Sequence, residues 1–308
     1  MMGQMYSLHG IRKGLKQPRY ILQELNRMYY QRLYSWEYNE AGLDVFEADW
    51  DTLLILDACR YDLFERVSDL PGKTTAVRSK GSATEEFLRA NFDGKRLHDT
   101  VYVTASPMFH RHREEIDVEF HETVNVWQEA GWDEQYRTVL PETMAEATLD
   151  AAEQFPNKRI LAHFLQPHYP FLGETGKAAF DLDRLDFRWD DVATGKLDVS
   201  DEVLERAYEE TLEAALPSVE RLLSALRGRT VVTADHGQMF GERLFPLPIR
   251  EYGHPVGLYS EELVRVPWHV SENGPRREIT AESPSERTGT DAGDSLVDDR
   301  LRQLGYLS

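Results

Sequence analysis

Residues 230–237 are Thr-Val-Val-Thr-Ala-Asp-His-Gly. A short, continuous, β-branched run marks a buried strand, and this one ends on two metal-binding residue types, Asp235 and His236. Residues 52–57, Thr-Leu-Leu-Ile-Leu-Asp, repeat the pattern and end on Asp57. Residues 159–165, Arg-Ile-Leu-Ala-His-Phe-Leu, form a third run that continues to His168, and 100–105, Thr-Val-Tyr-Val-Thr-Ala, a fourth. Segments 84–92 and 142–154 fit helices. Between 203 and 227 one stripe carries Leu204, Tyr208, Leu212, Ala215, Val219, Leu222, Leu223 and Leu226. Pro217 is expected to kink or split that helix, and Gly228 suits its C-cap. Strand and helix in alternation predict an α/β fold: a doubly wound, mostly parallel sheet with helices on both faces. Residues 264–270, Val-Arg-Val-Pro-Trp-His-Val, add a last strand or an edge.

The ends of the chain differ from this middle. Residues 1–45 form a basic N-terminal helical arm with Arg12, Lys13, Lys16, Arg19, Arg27 and Arg32. Packing of this arm against the protein's own acidic body is favoured over membrane contact. Residues 46–270 make up the α/β domain. Residues 271–308 are a polar, mobile linker followed by a short docking helix.

Composition narrows the partners. The 308 residues hold 54 acidic and 35 basic side chains, a net charge of −19. Such a body repels nucleic acid and anionic lipid. Few lysines and abundant carboxylates are similar to proteins of a salt-rich, halophilic cytoplasm. One cysteine excludes an intrachain disulfide or multi-cysteine metal site. No signal peptide or membrane span is visible, so a cytoplasmic protein is expected.

In parallel α/β sheets chemistry gathers at the carboxyl ends of strands. Asp57, Asp235 and His236 supply oxygen and nitrogen ligands for one divalent cation, Zn or Mn favoured, with Ca or Mg as the all-oxygen alternative. Gly237 is expected to give the backbone freedom to turn there. A hydroxyl pair, Ser82 and Thr84, stands at a predicted helix start, where unpaired N–H groups favour an anion and a cation would activate the hydroxyl. The plain reading is a capping box, Ser82-x-x-Glu85.

Taken in order, LILDACRYD (54–62), GSATEEF (81–87), AHFLQPHYPF (162–171), VVTADHGQMFGE (231–242) and YGHPVGLYSEELVRVPWHV (252–270) resemble the alkaline phosphatase superfamily, in its sulfatase-like branch. The resemblance implies Asp57, Asp235 and His236 as metal ligands and Thr84, with Ser82 as rival, as nucleophile and further ligand. His168 and His254 fall where members contact the substrate's anionic group or a second metal. Formylglycine sulfatases need Cys-x-Pro-x-Arg, whereas Cys59 is followed by Arg60-Tyr61-Asp62. Two-metal members carry an aspartate four residues before a histidine, whereas Phe164 stands four before His168. One ion is therefore favoured, with a second not excluded.

The implied function is metal-dependent hydrolysis of a small-molecule or glycan phosphate or sulfate ester through a covalent Thr or Ser intermediate. Alternatives are a transferase of phosphoryl-linked head groups to a glycan or lipid, and a non-catalytic binding protein on the same fold. Cys59 reads as a packed thiol, Arg60 as a structural ion pair, and His163 as a satisfied core histidine. His98, His110, His112 and His121 read as surface residues.

Overall fold

The computed structural model describes residues 18–33, 37–128, 131–180, 187–284 and 293–306. Seven strands form one sheet: β1 Thr52–Leu56, β2 Lys73–Arg78, β3 Lys95–Thr104, β4 Val118–Asn125, β5 Arg159–Phe164, β6 Gly228–Thr233 and β9 Arg265–Asn273. Their order is β2-β9-β6-β1-β5-β3-β4, and β9 alone runs against its neighbours, β2 and β6. The expected mostly parallel α/β sheet is present. A two-stranded sheet, β7 Met239–Arg243 with β8 Arg250–Gly253, stands beside it.

The central strands β6, β1 and β5 are buried almost throughout, as their Val, Ile and Leu runs require. They also deliver Asp235, Asp57 and His168 from adjacent strand ends. The fold thus brings together Asp57 and Asp235, 178 positions apart in the sequence.

Helices pack in two groups, one around Pro141–Gln154 and Asp201–Ala225, the other around Thr84–Phe92, Met108–Arg111 and Asp294–Gln303. Pro217 does not split its helix, which runs unbroken from Asp201 to Ala225. The proline is exposed, so the carbonyl it leaves unpaired, four residues earlier, is on the solvent side. Gly228 is not the C-cap, a position taken by Leu226. Its φ of +92° opens β6, packed against Asp51, which a side chain there would strike.

The helix Pro18–Leu33 lies on the protein's own body: Arg19 donates to Glu251 (2.6 Å) and Asn26 to the Leu247 carbonyl (2.9 Å). Residues 1–17 of the expected arm lie outside the described residues. The linker expected to be mobile is docked as far as it is described. Arg276 pairs with Asp49 and Asp51, Thr280 N–H donates to the Asn157 carbonyl, and Glu282 N–H donates to that of His98. This strap crosses the amino-terminal edge of the sheet, away from the strand ends that carry Asp57 and Asp235. The C-terminal helix Asp294–Gln303 buries Val297 and Leu301. Among the described residues no helix is long and apolar enough to cross a membrane.

Candidate metal centre

The turn after β1 is held from several sides. Asp57 N–H donates to the Phe164 carbonyl (3.3 Å), and the Asp57 carbonyl accepts from His168 N–H (3.2 Å). Ala58 follows with φ +63°, a left-handed conformation that a non-glycine residue adopts only under constraint. The constraint is visible: Ala58 N–H donates to Asp235 Oδ1 (3.0 Å), and the Tyr208 hydroxyl donates to the Ala58 carbonyl (2.7 Å). Asp235 Oδ1 also accepts from His236 N–H (2.9 Å). Gly237 serves closeness rather than turning. Its φ is not positive, and a side chain there would collide with the Glu262 carbonyl.

The structure separates the two hydroxyls. Thr84 is the first residue of its helix, buried, with Oγ1 3.2 Å from His236 Nε2. Ser82 is committed elsewhere: its hydroxyl donates to Glu86 Oε2 (2.7 Å) and accepts from Gly257 N–H (3.0 Å). The expected capping box with Glu85 is not formed. The helix N-cap is Ala83, and Ser82 pairs with the carboxylate one residue further on.

Four buried atoms here have no hydrogen-bond partner: Asp57 Oδ1, Asp235 Oδ2, His163 Nε2 and His168 Nε2. Unpaired buried polar atoms are rare, and a cluster of lone pairs from two carboxylates and imidazoles is what a cation satisfies. His236 Nε2 lies 3.6 Å from Asp57 Oδ1 and 3.4 Å from Asp235 Oδ2. Ligands bonded at about 2.0–2.1 Å to a tetrahedral zinc stand roughly 3.4 Å apart, so these separations fit. One ligand atom each from Asp57, His163 and Asp235 also falls within 4.8 Å of the other two. His163 is therefore not the satisfied core histidine expected. Its Nδ1 meets the Tyr102 hydroxyl (3.1 Å), while Nε2 points to Asp235 Oδ2 (3.6 Å) without a hydrogen bond.

Charge follows from burial. Desolvation, then the neighbouring Asp235 carboxylate, pushes Asp57 well above the usual carboxylate range. Burial pushes Asp235 the same way, but the imidazoles of His236 and His163 and the Ala58 N–H outweigh it and hold Asp235 low. Two facing buried carboxylates with one kept ionised leave a negative site.

The rings carry their protons on the outer nitrogen. Nδ1 of His236 and His168 faces the carbonyls of Gly237 (2.8 Å) and Tyr169 (2.7 Å), and His254 Nδ1 faces Gln238 Oε1 (2.9 Å). Each Nδ1–H donates, which leaves Nε2 as a lone pair. Burial lowers His168 to about 4, so the ring is neutral at pH 7. A neutral Nε2 has no proton to offer an anion. As placed, His168 is suited to accept a proton or bind a cation, and the expected direct contact with an anionic group is not favoured.

Tyr306 is a site residue that sequence reasoning missed. Its phenol donates to Asp57 Oδ2 and lies 3.5 Å from Thr84 Oγ1. Its ring stacks on His168 at 4.6 Å and 9°. His254 completes this side, 4.6 Å from the His236 ring and 5.0 Å from that of His168.

The remaining expectations divide. Arg60 pairs with Asp62 (2.7 Å) and Glu242, which is the structural ion pair expected, and buried Cys59 packs in the core. His98 and His121 sit at the surface beside Glu119 and the Glu282 carbonyl. His110 and His112 do not: both are buried, His110 edge-on to Trp127 and His112 3.6 Å from both Glu85 and Glu115.

No known protein family matches the chain by its sequence, and no curated protein matches it. Solved structures do. One is a protein in the alkaline phosphatase superfamily from Vibrio parahaemolyticus (11% identity, 92% of this chain and 74% of that one, TM-score 0.40). Others are the periplasmic domain of phosphoethanolamine transferase EptC from Campylobacter jejuni (12%, 71% and 77%, TM-score 0.46) and the integral membrane lipooligosaccharide phosphoethanolamine transferase EptA from Neisseria meningitidis (11%, 71% and 47%, TM-score 0.43). The chain spans less than half of the last. At these scores the likeness carries no argument about activity.

Proposed function

We propose that the chain is a divalent-metal enzyme that cleaves a phosphate or sulfate ester through a covalent intermediate on Thr84. The observation that carries this reading is the convergence of unpartnered, buried ligand atoms beside a hydroxyl at a helix start. Asp57, Asp235 and His236 would hold the ion, with Thr84 as a fourth ligand. His163 braces Asp235 or joins Asp57 and Asp235 around the ion. A Zn or Mn ion suits this oxygen and nitrogen set, and it would lower the hydroxyl pKa and neutralise developing charge.

The chain's own residues do the rest. The Thr84 oxygen bonds to phosphorus or sulfur as the bond to the leaving oxygen breaks, and the hydroxyl proton passes to that departing oxygen. Unpaired N–H groups in the first turn of the Thr84–Phe92 helix stabilise the anion. Water then attacks the intermediate, the bond to Thr84 breaks, and the water's proton passes through His168 Nε2 back to the Thr84 oxygen. Transfer to an alcohol in place of water is the second reading. The burial of Thr84 and both carboxylates favours it, because an enclosed intermediate meets water less readily.

The test is turnover of p-nitrophenyl phosphate and sulfate with Zn or Mn, combined with acid-quench trapping of label on Thr84. Label on wild-type protein and none on Thr84→Ala supports the reading. Turnover without label, or undiminished in Thr84→Ala, contradicts it.

A further inference from the structure

The helix Pro18–Leu33 has its polarity reversed. Its protein-facing side holds Asn26, whose side-chain amide exchanges two hydrogen bonds with the Leu247 backbone, both 2.9 Å. Tyr30 joins it there, packed with Leu244, Leu258 and Leu263. Its outward side holds Ile21, Leu25 and Met28, spaced four and three residues apart on one stripe, with Leu33 at the end. Beside them Phe245, at the tip of the β7–β8 hairpin, lies 5.5 Å from the Tyr29 ring. These five are the large apolar side chains that stay exposed among the described residues, at 41–63%. A surface helix ordinarily shows water its polar face, so an apolar stripe turned outward marks a contact surface.

The occupant follows from area and charge. A helix of 16 residues is about 24 Å long, and a stripe roughly 10 Å wide covers on the order of 250 Å². A stable dimer needs about 800 Å² per partner, roughly three times the area of this stripe. Residues 1–33 hold six basic side chains and one acid, Glu24. Basic sequence joined to a narrow apolar stripe and a loop-tip phenylalanine matches an anionic interface. We propose that this face docks the chain on an anionic lipid surface, with Ile21, Leu25, Met28 and Phe245 entering the headgroup boundary. The docked helix borders the metal centre: Gly257 lies against Arg27 and Gln31 with no room for a side chain, and His254 is three residues upstream. The proposal stands on the exposed face and does not depend on the reading of that centre.

Co-sedimentation of the full chain with phosphatidylglycerol and with phosphatidylcholine vesicles tests it. The wild type is expected to pellet with the anionic vesicles, and less so as salt shortens the screening length from about 10 Å to about 3 Å. Leu25→Asp with Met28→Asp should lower vesicle binding at least about tenfold. Both side chains are exposed, so the melting temperature should not change. Where that variant misfolds, Arg12→Glu with Lys13→Glu and Lys16→Glu gives the same readout. A wild type that stays in the supernatant overturns the proposal, and so do variants that bind as the wild type does. A wild-type dimer made monomeric by Leu25→Asp with Met28→Asp also overturns it, in favour of a second copy as occupant.

Discussion

The phenol of Tyr306 donates to Asp57 Oδ2, across 249 residues of sequence, and Oδ1 of the same carboxylate is left without a partner beside His236. The bond fixes which oxygen faces the ligand cluster. Hydrogen bonds to ligating groups typically govern affinity by 10–100-fold. Tyr306→Phe keeps the stack on His168 and loses the bond, so it should weaken Zn or Mn binding by about that factor with the fold intact. Calorimetric titration of metal-free protein measures this.

Thr84 and Ser82 should separate cleanly. Thr84→Ala removes the attacking oxygen and should abolish turnover while leaving stability within about 1 kcal/mol. Ser82→Ala strands the Gly257 N–H and removes one donor from the buried Glu86 carboxylate, which keeps the Ser82 N–H and the Tyr259 hydroxyl. It should cost about 1–3 kcal/mol in denaturant unfolding.

Cys59 should be inert in the native state. It is fully buried, and desolvation pushes its thiol far above the ordinary range. Thiolate is the reactive form, so iodoacetamide should label the protein only after unfolding, as followed by intact mass.

Glu251 should give a pH-dependent stability. Burial raises its carboxyl above the ordinary 4.5 against the pull of Arg19. The folded state therefore binds this proton more tightly than the unfolded chain. This contribution is fully present below 4.5 and is lost as pH rises through the raised value. Glu251→Gln should flatten that limb in denaturant titrations across pH.

What could be seen in the sequence depended on burial. β1, β5, β6 and the second half of β3 are interior strands whose apolar runs are visible without any partner. β2 and β4 stand at the two edges of the sheet, where Lys73, Arg78, Glu119 and Glu122 break the apolar pattern. Strand ends announced Asp57, Asp235 and His236, because function gathers there. His163 offered a signal in hindsight: a fully buried polar residue one position from the end of a strand that is apolar from Ile160 to Ala162. Tyr306 had no local signal. It follows Gly305 after a short helix, and tertiary docking alone brings it beside Asp57 and His168.

Metal content tests the central claim most directly. Elemental mass spectrometry on the purified full chain, loaded with Zn or Mn and passed through a desalting column, should find bound cation. Asp235→Ala, verified as folded by circular dichroism, should retain almost none. Wild-type protein that turns over esters with no bound metal would contradict the account, as would Asp235→Ala retaining the wild-type amount.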